Sequence, residues 1–174
     1  MTREESTSFH PNAADIGRRV IGAVRVASPV GRGVVAAGPA WLHRLPRFDD
    51  PRGTIVVNQA PDQLPFVPTR IFQVFDVPEG EMRGDHAHRR CHQFIMALTG
   101  SVVVVVDDGR WRWSVLLDEP HLGLHVPPLT WSIQKDFAPS SRVLVLASEP
   151  YDRAEYIDDY AEFAADVEER SNPR

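Results

Sequence analysis

The chain of 174 residues lacks several features that would by themselves identify a class of protein. Cys91 is its one cysteine, which excludes a disulfide framework and a thiolate zinc centre and favours a reducing, cytoplasmic setting. No apolar run approaches the length of a membrane span, and the charged first 30 residues lack the apolar region of a signal peptide. There is no sustained basic run and the net charge is −5, so neither nucleic acid nor an anionic membrane is an expected partner.

The composition that remains, 43% apolar and 25% charged, is that of an ordinary soluble globular protein. The length suits one domain with a sizeable core. Residues 1–40 show little pattern, and we predict an N-terminal extension that is partly disordered, mainly over its first 15 residues, with a strand or two between residues 17 and 40. Residues 41–174 are predicted to form a single domain.

Short β-rich runs separated by turn residues dominate the chain after residue 40. Asp108-Gly109 lies between two such runs and is a strong hairpin signal. Val102–Val106 is apolar at every position, so both of its faces should be covered, by a neighbouring layer or by a subunit interface. Strands at this spacing predict an all-β sandwich or barrel, with a loop over residues 48–53. The predicted strands are 41–45, 54–59, 69–77, 91–98, 101–107, 111–117, 122–126, 130–135 and 142–148.

A helix is predicted after the last of these strands. Asp152 and Glu155 have the spacing of a capping box, and apolar residues from Tyr156 to Val167 recur at helical spacing. An amphipathic helix over about 153–168 is therefore expected to close the fold.

Three histidines, His86, His88 and His92, fall within seven residues directly before an apolar strand. In an extended chain the side chains alternate between faces, so His86 and His88 point the same way. Two imidazoles on one face can both titrate near neutral pH. As sequence they could transfer protons, bind a metal or lie on the surface.

A jelly roll that carries His-x-His at the start of a strand resembles the cupin superfamily. Metal-binding cupins add a Glu shortly after the pair and a His from a later strand. Here Gln93 and Trp131 stand at those places, and an amide and an indole are poor metal ligands. We therefore predict no metal, although His86 and His88 with either His92 or His125 could still form a three-histidine site.

A closer resemblance rests on many separated motifs in the same order over roughly residues 48–163. The chain resembles the FdtA/QdtA-type, or WxcM-like, cupins, the dTDP-sugar 3,4-ketoisomerases. The motifs are Asp50-Pro51-Arg52-Gly53, Leu64-Pro65-Phe66, Arg70, Arg83-Gly84-Asp85-His86-Ala87-His88, Gln93, Leu98-Thr99-Gly100-Ser101, Asp107-Asp108-Gly109, Gly123-Leu124, Pro127-Pro128 with Trp131, and Val145-Leu146-Ala147-Ser148 followed by Tyr151-Asp152.

The resemblance implies an RmlC-like cupin barrel that converts dTDP-4-keto-6-deoxyglucose into its 3-keto isomer in deoxysugar biosynthesis. It assigns proton transfer to His86 and His88, without deciding which acts first. Isomerisation through an enediol needs a base, a proton carrier and a donor for the developing oxyanion, and in principle neither a metal nor a redox cofactor. It also implies a homodimer.

Seven further residues are candidates for binding the dTDP-linked keto-deoxysugar. Arg83 and Arg70 could bind a phosphate or a sugar oxygen, or could serve only as structural ion pairs. Trp131 could stack on the base or the sugar, or belong to the core. The candidates are Arg83, Arg70, Gln73, Phe72, Gln93, Trp131 and His125.

One departure from the family concerns the positions after Arg70, where relatives commonly carry tyrosines. Here the residues include Phe72 and Gln73, and Phe72 has no hydroxyl to donate to a substrate oxygen. Gln73 could replace it only if it faces inward. Either Arg83 or another donor serves the oxyanion, or the chain is a non-catalytic sugar-nucleotide-binding cupin. A metal-dependent cupin enzyme is the third alternative.

Overall fold

The structure is a computed structural model that describes residues 33–171, without the side chain of Ser171. Its elements within that range are β1 (Val34–Ala37), β2 (Ala40–Arg44), β3 (Arg47–Asp50), β4 (Gly53–Val56), β5 (Arg70–Phe75), β6 (Arg83–His88), β7 (Gln93–Thr99), β8 (Val102–Asp107), β9 (Arg112–Leu117), β10 (Leu122–Val126), β11 (Trp131–Lys135), β12 (Arg142–Ala147), a 3-10 turn (Arg153–Glu155), β13 (Tyr156–Ile157) and α1 (Tyr160–Ser171).

Two antiparallel sheets enclose the core. The six-stranded sheet has the order β1-β2-β10-β7-β12-β5, and the five-stranded sheet has the order β13-β6-β11-β8-β9. Fully buried aliphatic side chains from both sheets, such as Ile95, Val104 and Leu124, meet between them. The predicted all-β jelly-roll class is confirmed, because strands distant in sequence pair within each sheet and the two sheets share one interior.

The all-valine strand β8 is covered on both faces, as its composition predicts. Val102, Val104 and Val106 belong to the core between the sheets. Val103 and Val105 belong to a second cluster with Phe163 of α1. The helix therefore supplies the second covering layer of the five-stranded sheet.

The predicted start of the helix at residue 153 is wrong. Asp152 does cap a turn, since its side chain accepts from Ala154 N, but this turn is the short 3-10 segment Arg153–Glu155. Tyr156 and Ile157 then pair with His88 and Ala87 of β6. The α-helix begins only at Tyr160, where Asp159 accepts hydrogen bonds from the first free backbone N–H groups. Strand pairing overrides the helical spacing here.

The predicted loop over residues 48–53 is part of a hairpin, whose second strand overlaps the strand predicted from residue 54. β3 and β4 pair with each other in a separate two-stranded sheet. Every residue of β3 is exposed, and Phe48 and Ile55 leave 53% and 62% of their surface open. The hairpin thus carries large apolar side chains that the described part of the chain does not cover.

β1 extends the six-stranded sheet upstream of residue 41, the predicted start of the domain. Predictions for residues 1–32 lie outside the described range. Within residues 33–171 no helix combines the length and the apolar character that crossing a membrane requires.

Candidate active site

A bulge in β6 sets the position of His86. Gly84 and Asp85 both have positive φ, +82° and +61°, and the pairing of β6 with β11 shifts register opposite them. A Cβ on Gly84 would lie 2.8 Å from the carbonyl oxygen of Ser132, so glycine is required for this close approach. Trp131 Nε1 donates to Asp85 Oδ1 at 3.0 Å, which holds the bulge from the helix side.

His86 and His88 lie side by side on the inner face of the five-stranded sheet. His86 pairs with Ser132, which pairs with the core residue Val106, so these side chains share the inner face. The two imidazole centroids are 4.9 Å apart and their planes are nearly perpendicular, at 88°. The predicted same-face arrangement of the two imidazoles is thus present.

Burial keeps both imidazoles neutral. Desolvation is the largest cause that lowers the pKa of His86 below its usual value. The pKa of His88 falls to about 4, through desolvation first and then through electrostatic interaction with His86 and Arg70. Neutral imidazoles present one lone pair and one N–H each, and the hydrogen bonds decide which nitrogen carries which.

Those hydrogen bonds give both imidazoles the Nδ1–H tautomer but engage opposite nitrogens, Nδ1 of His86 and Nε2 of His88. His86 Nδ1 lies 3.0 Å from the carbonyl oxygen of Gly84, so Nδ1 carries the proton and Nε2 has the lone pair. The side-chain amide of Gln93 donates from Nε2 to His88 Nε2 at 2.9 Å, so His88 carries its proton on Nδ1. His88 Nδ1 is buried and has no hydrogen-bond partner among the described residues. The pair therefore offers one proton acceptor and one hydrogen-bond donor.

Strand β5 of the other sheet forms the opposite wall. Arg70 and Phe72 pair with Ala147 and Val145, which lie on the inner face, whereas Gln73 is exposed on the outer face. The Arg70 guanidinium carbon lies 5.2 Å from the Phe72 ring centroid. Arg70 Nε is buried and has no hydrogen-bond partner among the described residues.

Tyr156 is the further side chain next to the two imidazoles, and it is not among the site residues predicted from the sequence. Its ring centroid lies 4.8 Å from that of His86 and 4.5 Å from that of His88. Its hydroxyl oxygen accepts from Arg70 Nη1 at 3.3 Å. The capping pattern at Asp152 predicts that Tyr156 lies in a helix, so the sequence gives no reason to place Tyr156 in the site. Asp159, a second capping residue directly before the helix, is the signal that could have revealed the strand.

Several predicted residues lie away from this group. Trp131 is on the helix side of the five-stranded sheet, against Tyr160 and Phe163. His125 is on the outer face of the six-stranded sheet, where its Nε2 lies 2.9 Å from His92 Nδ1. The structure brings together His86, His88, Gln93, Arg70 and Phe72, and it does not bring Trp131, His125 or Gln73 to them.

The remaining predictions concern Arg83 and a metal. Arg83 is exposed at the first position of β6. A three-histidine site is not formed, because His92 and His125 lie on the far face of the other sheet. Residues 33–171 hold no group of three His, Cys, Asp or Glu side chains arranged to bind a metal ion.

Fold and site together define a cupin whose barrel holds two adjacent imidazoles, those of His86 and His88. The chain belongs to the WxcM-like, C-terminal family (FdtA), whose model matches residues 39–168. The family resemblance read from the sequence motifs is thereby confirmed.

Relatives of known name agree in their activity. The TDP-4-oxo-6-deoxy-α-D-glucose-3,4-oxoisomerase of Aneurinibacillus thermoaerophilus is 38% identical over 114 residues, which are 66% of this chain and 82% of that protein. A double mutant of the QdtA 3,4-ketoisomerase from Thermoanaerobacterium thermosaccharolyticum, solved with TDP, has a TM-score of 0.74 and 30% identity and covers 76% of this chain and 96% of its own. A 3,4-ketoisomerase from Helicobacter canadensis has a TM-score of 0.72 and 32% identity, and the match covers 74% of this chain and 97% of that protein.

Proposed function

We propose that this chain is a TDP-sugar 3,4-ketoisomerase that converts TDP-4-keto-6-deoxyglucose into its 3-keto isomer in deoxysugar biosynthesis. The observation that carries the proposal is the pair of neutral imidazoles whose remaining nitrogens differ, a lone pair on Nε2 of His86 as acceptor and an N–H on Nδ1 of His88 as donor. The family and the activities of its relatives give the substrate class.

His86 is the base in this mechanism. Its Nε2 lone pair takes the proton from C3 of the sugar, and the resulting imidazolium returns that proton at C4. A pKa below the usual value keeps His86 unprotonated at neutral pH, so it is ready to accept. The same group thus performs the transfer between the two carbons.

His88 stabilises the charge that develops. Its Nδ1–H donates to the oxygen that becomes anionic in the enediolate. His88 is unsuited to give up this proton, because its Nε2 already accepts from Gln93 and loss of Nδ1–H would leave an imidazolate. We therefore assign proton transfer between the carbons to His86 and oxyanion stabilisation to His88.

Arg70 supports substrate binding from the opposite wall. Its buried Nε–H and its position next to the imidazoles suit an oxygen of the sugar or of the diphosphate. Arg83, exposed at the start of β6, is a candidate for the diphosphate at the rim.

We also infer that the protein is a homodimer. The hairpin β3–β4 exposes Phe48 and Ile55, and β5 is an edge strand whose outer residues Ile71 and Phe75 are exposed. Free sheet edges and apolar patches favour association. Docking of the hairpin on the edge of a second copy would cover both.

A non-catalytic sugar-nucleotide-binding cupin is the second candidate, and the observation that favours it is Phe72 in place of a phenol on β5. Proton NMR of chelator-treated protein with TDP-4-keto-6-deoxyglucose in deuterium oxide separates the two. The isomerase gives a 3-keto product, and exchange with solvent places deuterium at C4 of that product or at C3 of recovered substrate. Binding of TDP with an unchanged substrate spectrum would support the second candidate, and turnover only after metal is restored would support a metal-dependent enzyme.

Substitution of the two histidines tests their roles. We expect His86→Asn to abolish turnover and His88→Asn to lower kcat by about 10²–10³, the cost of losing one oxyanion donor. TDP affinity should stay within about threefold, because neither side chain is assigned to the nucleotide. Loss of folding in both variants would make the pair structural.

A further inference from the structure

Two protons move in this isomerisation, and the imidazole pair moves only one. The hydrogen on C3 is transferred to C4. The hydroxyl hydrogen on the C3 oxygen must also leave, and the C4 oxygen must gain one, because the ketone and the alcohol exchange places. The second transfer needs a group that can donate a proton and take one back.

Tyr156 is placed for this second transfer. Its position in β13, directly paired with His88, puts its side chain on the same face as the imidazoles. Its ring lies against both of them, with centroids within 4.8 Å. Its hydroxyl reaches across the gap between the two sheets to Arg70 of β5.

The hydrogen bond from Arg70 fixes what the phenol can do. Arg70 Nη1 donates to the phenol oxygen, so the hydroxyl hydrogen of Tyr156 is left to donate elsewhere. A cationic donor on the oxygen also stabilises the phenolate that forms when this hydrogen is given away.

We propose that Tyr156 is a catalytic residue that carries the hydroxyl proton from the C3 oxygen to the C4 oxygen. The inference rests on the proposed ketoisomerase function. Tyr156 thereby supplies, from β13, the phenol that β5 lacks at Phe72.

The step balances without any further reagent. As His86 takes the C3 proton, the C3–H electron pair forms the C3=C4 bond and the C4 carbonyl electron pair moves to its oxygen, which takes the proton of Tyr156. The phenolate then removes the proton from the C3 hydroxyl as C3=O forms. The C3=C4 electron pair takes the proton of the His86 imidazolium at C4, and both residues return to their starting state.

Other polar groups nearby are less suited. Arg70 cannot take a proton back, because its guanidinium stays protonated in proteins. The amide of Gln93 is engaged with His88, and Gln73 faces outward. Tyr151 is 65% exposed, and its ring touches Tyr156 rather than the imidazoles.

The test compares full-length wild type, Tyr156→Phe and Tyr151→Phe with TDP-4-keto-6-deoxyglucose. We expect Tyr156→Phe to lower kcat about 100-fold or more, with TDP affinity within about threefold, and Tyr151→Phe to stay within about twofold of wild type. Active wild type together with a Tyr156→Phe variant of nearly unchanged kcat would overturn the inference alone. Inactive wild type would instead overturn the proposed function, and the role of Tyr156 with it.

A second variant keeps the phenol and changes only its acidity. Ring-fluorinated tyrosine placed at position 156 should shift the basic limb of the pH–rate profile to lower pH, whereas the same analogue at position 151 should not. An unchanged profile with fluorotyrosine at 156 would show that the hydroxyl only packs and would overturn the inference.

Discussion

The side-chain amide of Gln93 donates to His88 Nε2 at 2.9 Å and so decides which nitrogen of that imidazole carries its proton. This is the place where a metal-binding cupin would carry a carboxylate. A carboxylate accepts where the amide donates. With glutamine at position 93, His88 is a neutral imidazole with a free Nδ1–H, whereas a carboxylate there would favour protonation of His88 or its use as a metal ligand.

Gln93→Glu should therefore weaken catalysis and create a metal-binding site. We expect the carboxylate to raise the pKa of His88, to move the proton to Nε2 and to lower kcat about 100-fold. We also expect zinc to displace the Nε2 proton and to bind in the micromolar range through His86, His88 and the new carboxylate, measured by calorimetry. Gln93→Met keeps the volume without the donor and should bind no zinc. A fully active Gln93→Glu variant would contradict the tautomer assignment.

Stability should fall as the pH drops from about 6.5 to about 4. The pKa of His88 is about 4 in the folded protein and that of His125 is also about 4, whereas an unfolded histidine has a pKa near 6.5. Between these values the unfolded chain binds more protons, so the free energy of unfolding decreases on acidification, by about 3 kcal/mol for each group. Above about pH 6.5 neither group contributes a slope.

Urea unfolding at a series of pH values checks this expectation. The double variant His88→Asn/His125→Asn should show a clearly flatter dependence than wild type over that window, since the two histidines with a pKa of about 4 are gone. Equal slopes in the two proteins would mean that these imidazoles are not held neutral by burial.

Gly84→Ala should impair the site more than a matched substitution at Gly80. Both glycines have φ near +80°, so alanine at either position meets backbone strain of about 1–2 kcal/mol. Only at 84 does the new Cβ meet backbone, 2.8 Å from Ser132 O, whereas Gly80 has open space.

We expect Gly84→Ala to lose at least about 1 kcal/mol more stability than Gly80→Ala and to lower kcat more than about 10-fold, because the bulge carries His86. Thermal unfolding and initial rates measure the two effects. Similar rates in both variants would show that the bulge does not position His86.

If the hairpin β3–β4 forms the dimer contact, charged substitutions on it should dissociate the dimer. Phe48→Asp and Ile55→Asp should yield monomers in light scattering after size exclusion, because each places a carboxylate in the proposed contact. Leu98→Asp, an exposed apolar residue on β7, serves as the control and should leave the dimer intact. A wild-type protein that is monomeric at micromolar concentration would refute the dimer.

Much of the fold is readable in the sequence because local signals and strand pairing agree. The Asp108-Gly109 hairpin and the strand Leu122–Val126 are found where they are predicted. The same holds for His86 and His88, whose shared face follows from alternation within one strand.

Other parts of the site depend on contacts between the two sheets, which the alternation of side chains along a single strand does not predict. Gln93 reaches His88 because residues 89–92 carry the chain from the five-stranded sheet to the six-stranded one, so counting faces from His88 to Gln93 is invalid. Trp131 and His125 lie in strands buried on both faces, where no polar pattern marks the inner side. Tyr156 was missed because a genuine cap at Asp152 belongs to one turn only.

The strand β13 has a consequence for how the protein is made. Ribosomes release the chain from its N-terminus, so β6 with both histidines emerges long before Tyr156 and Ile157, which pair with it. Until then this edge of β6 is unpaired and the phenol is missing. A nascent chain stopped within the 3-10 turn lacks both the partner strand of β6 and the phenol to which we assign proton transfer, so on this proposal the last segment to emerge completes the active site.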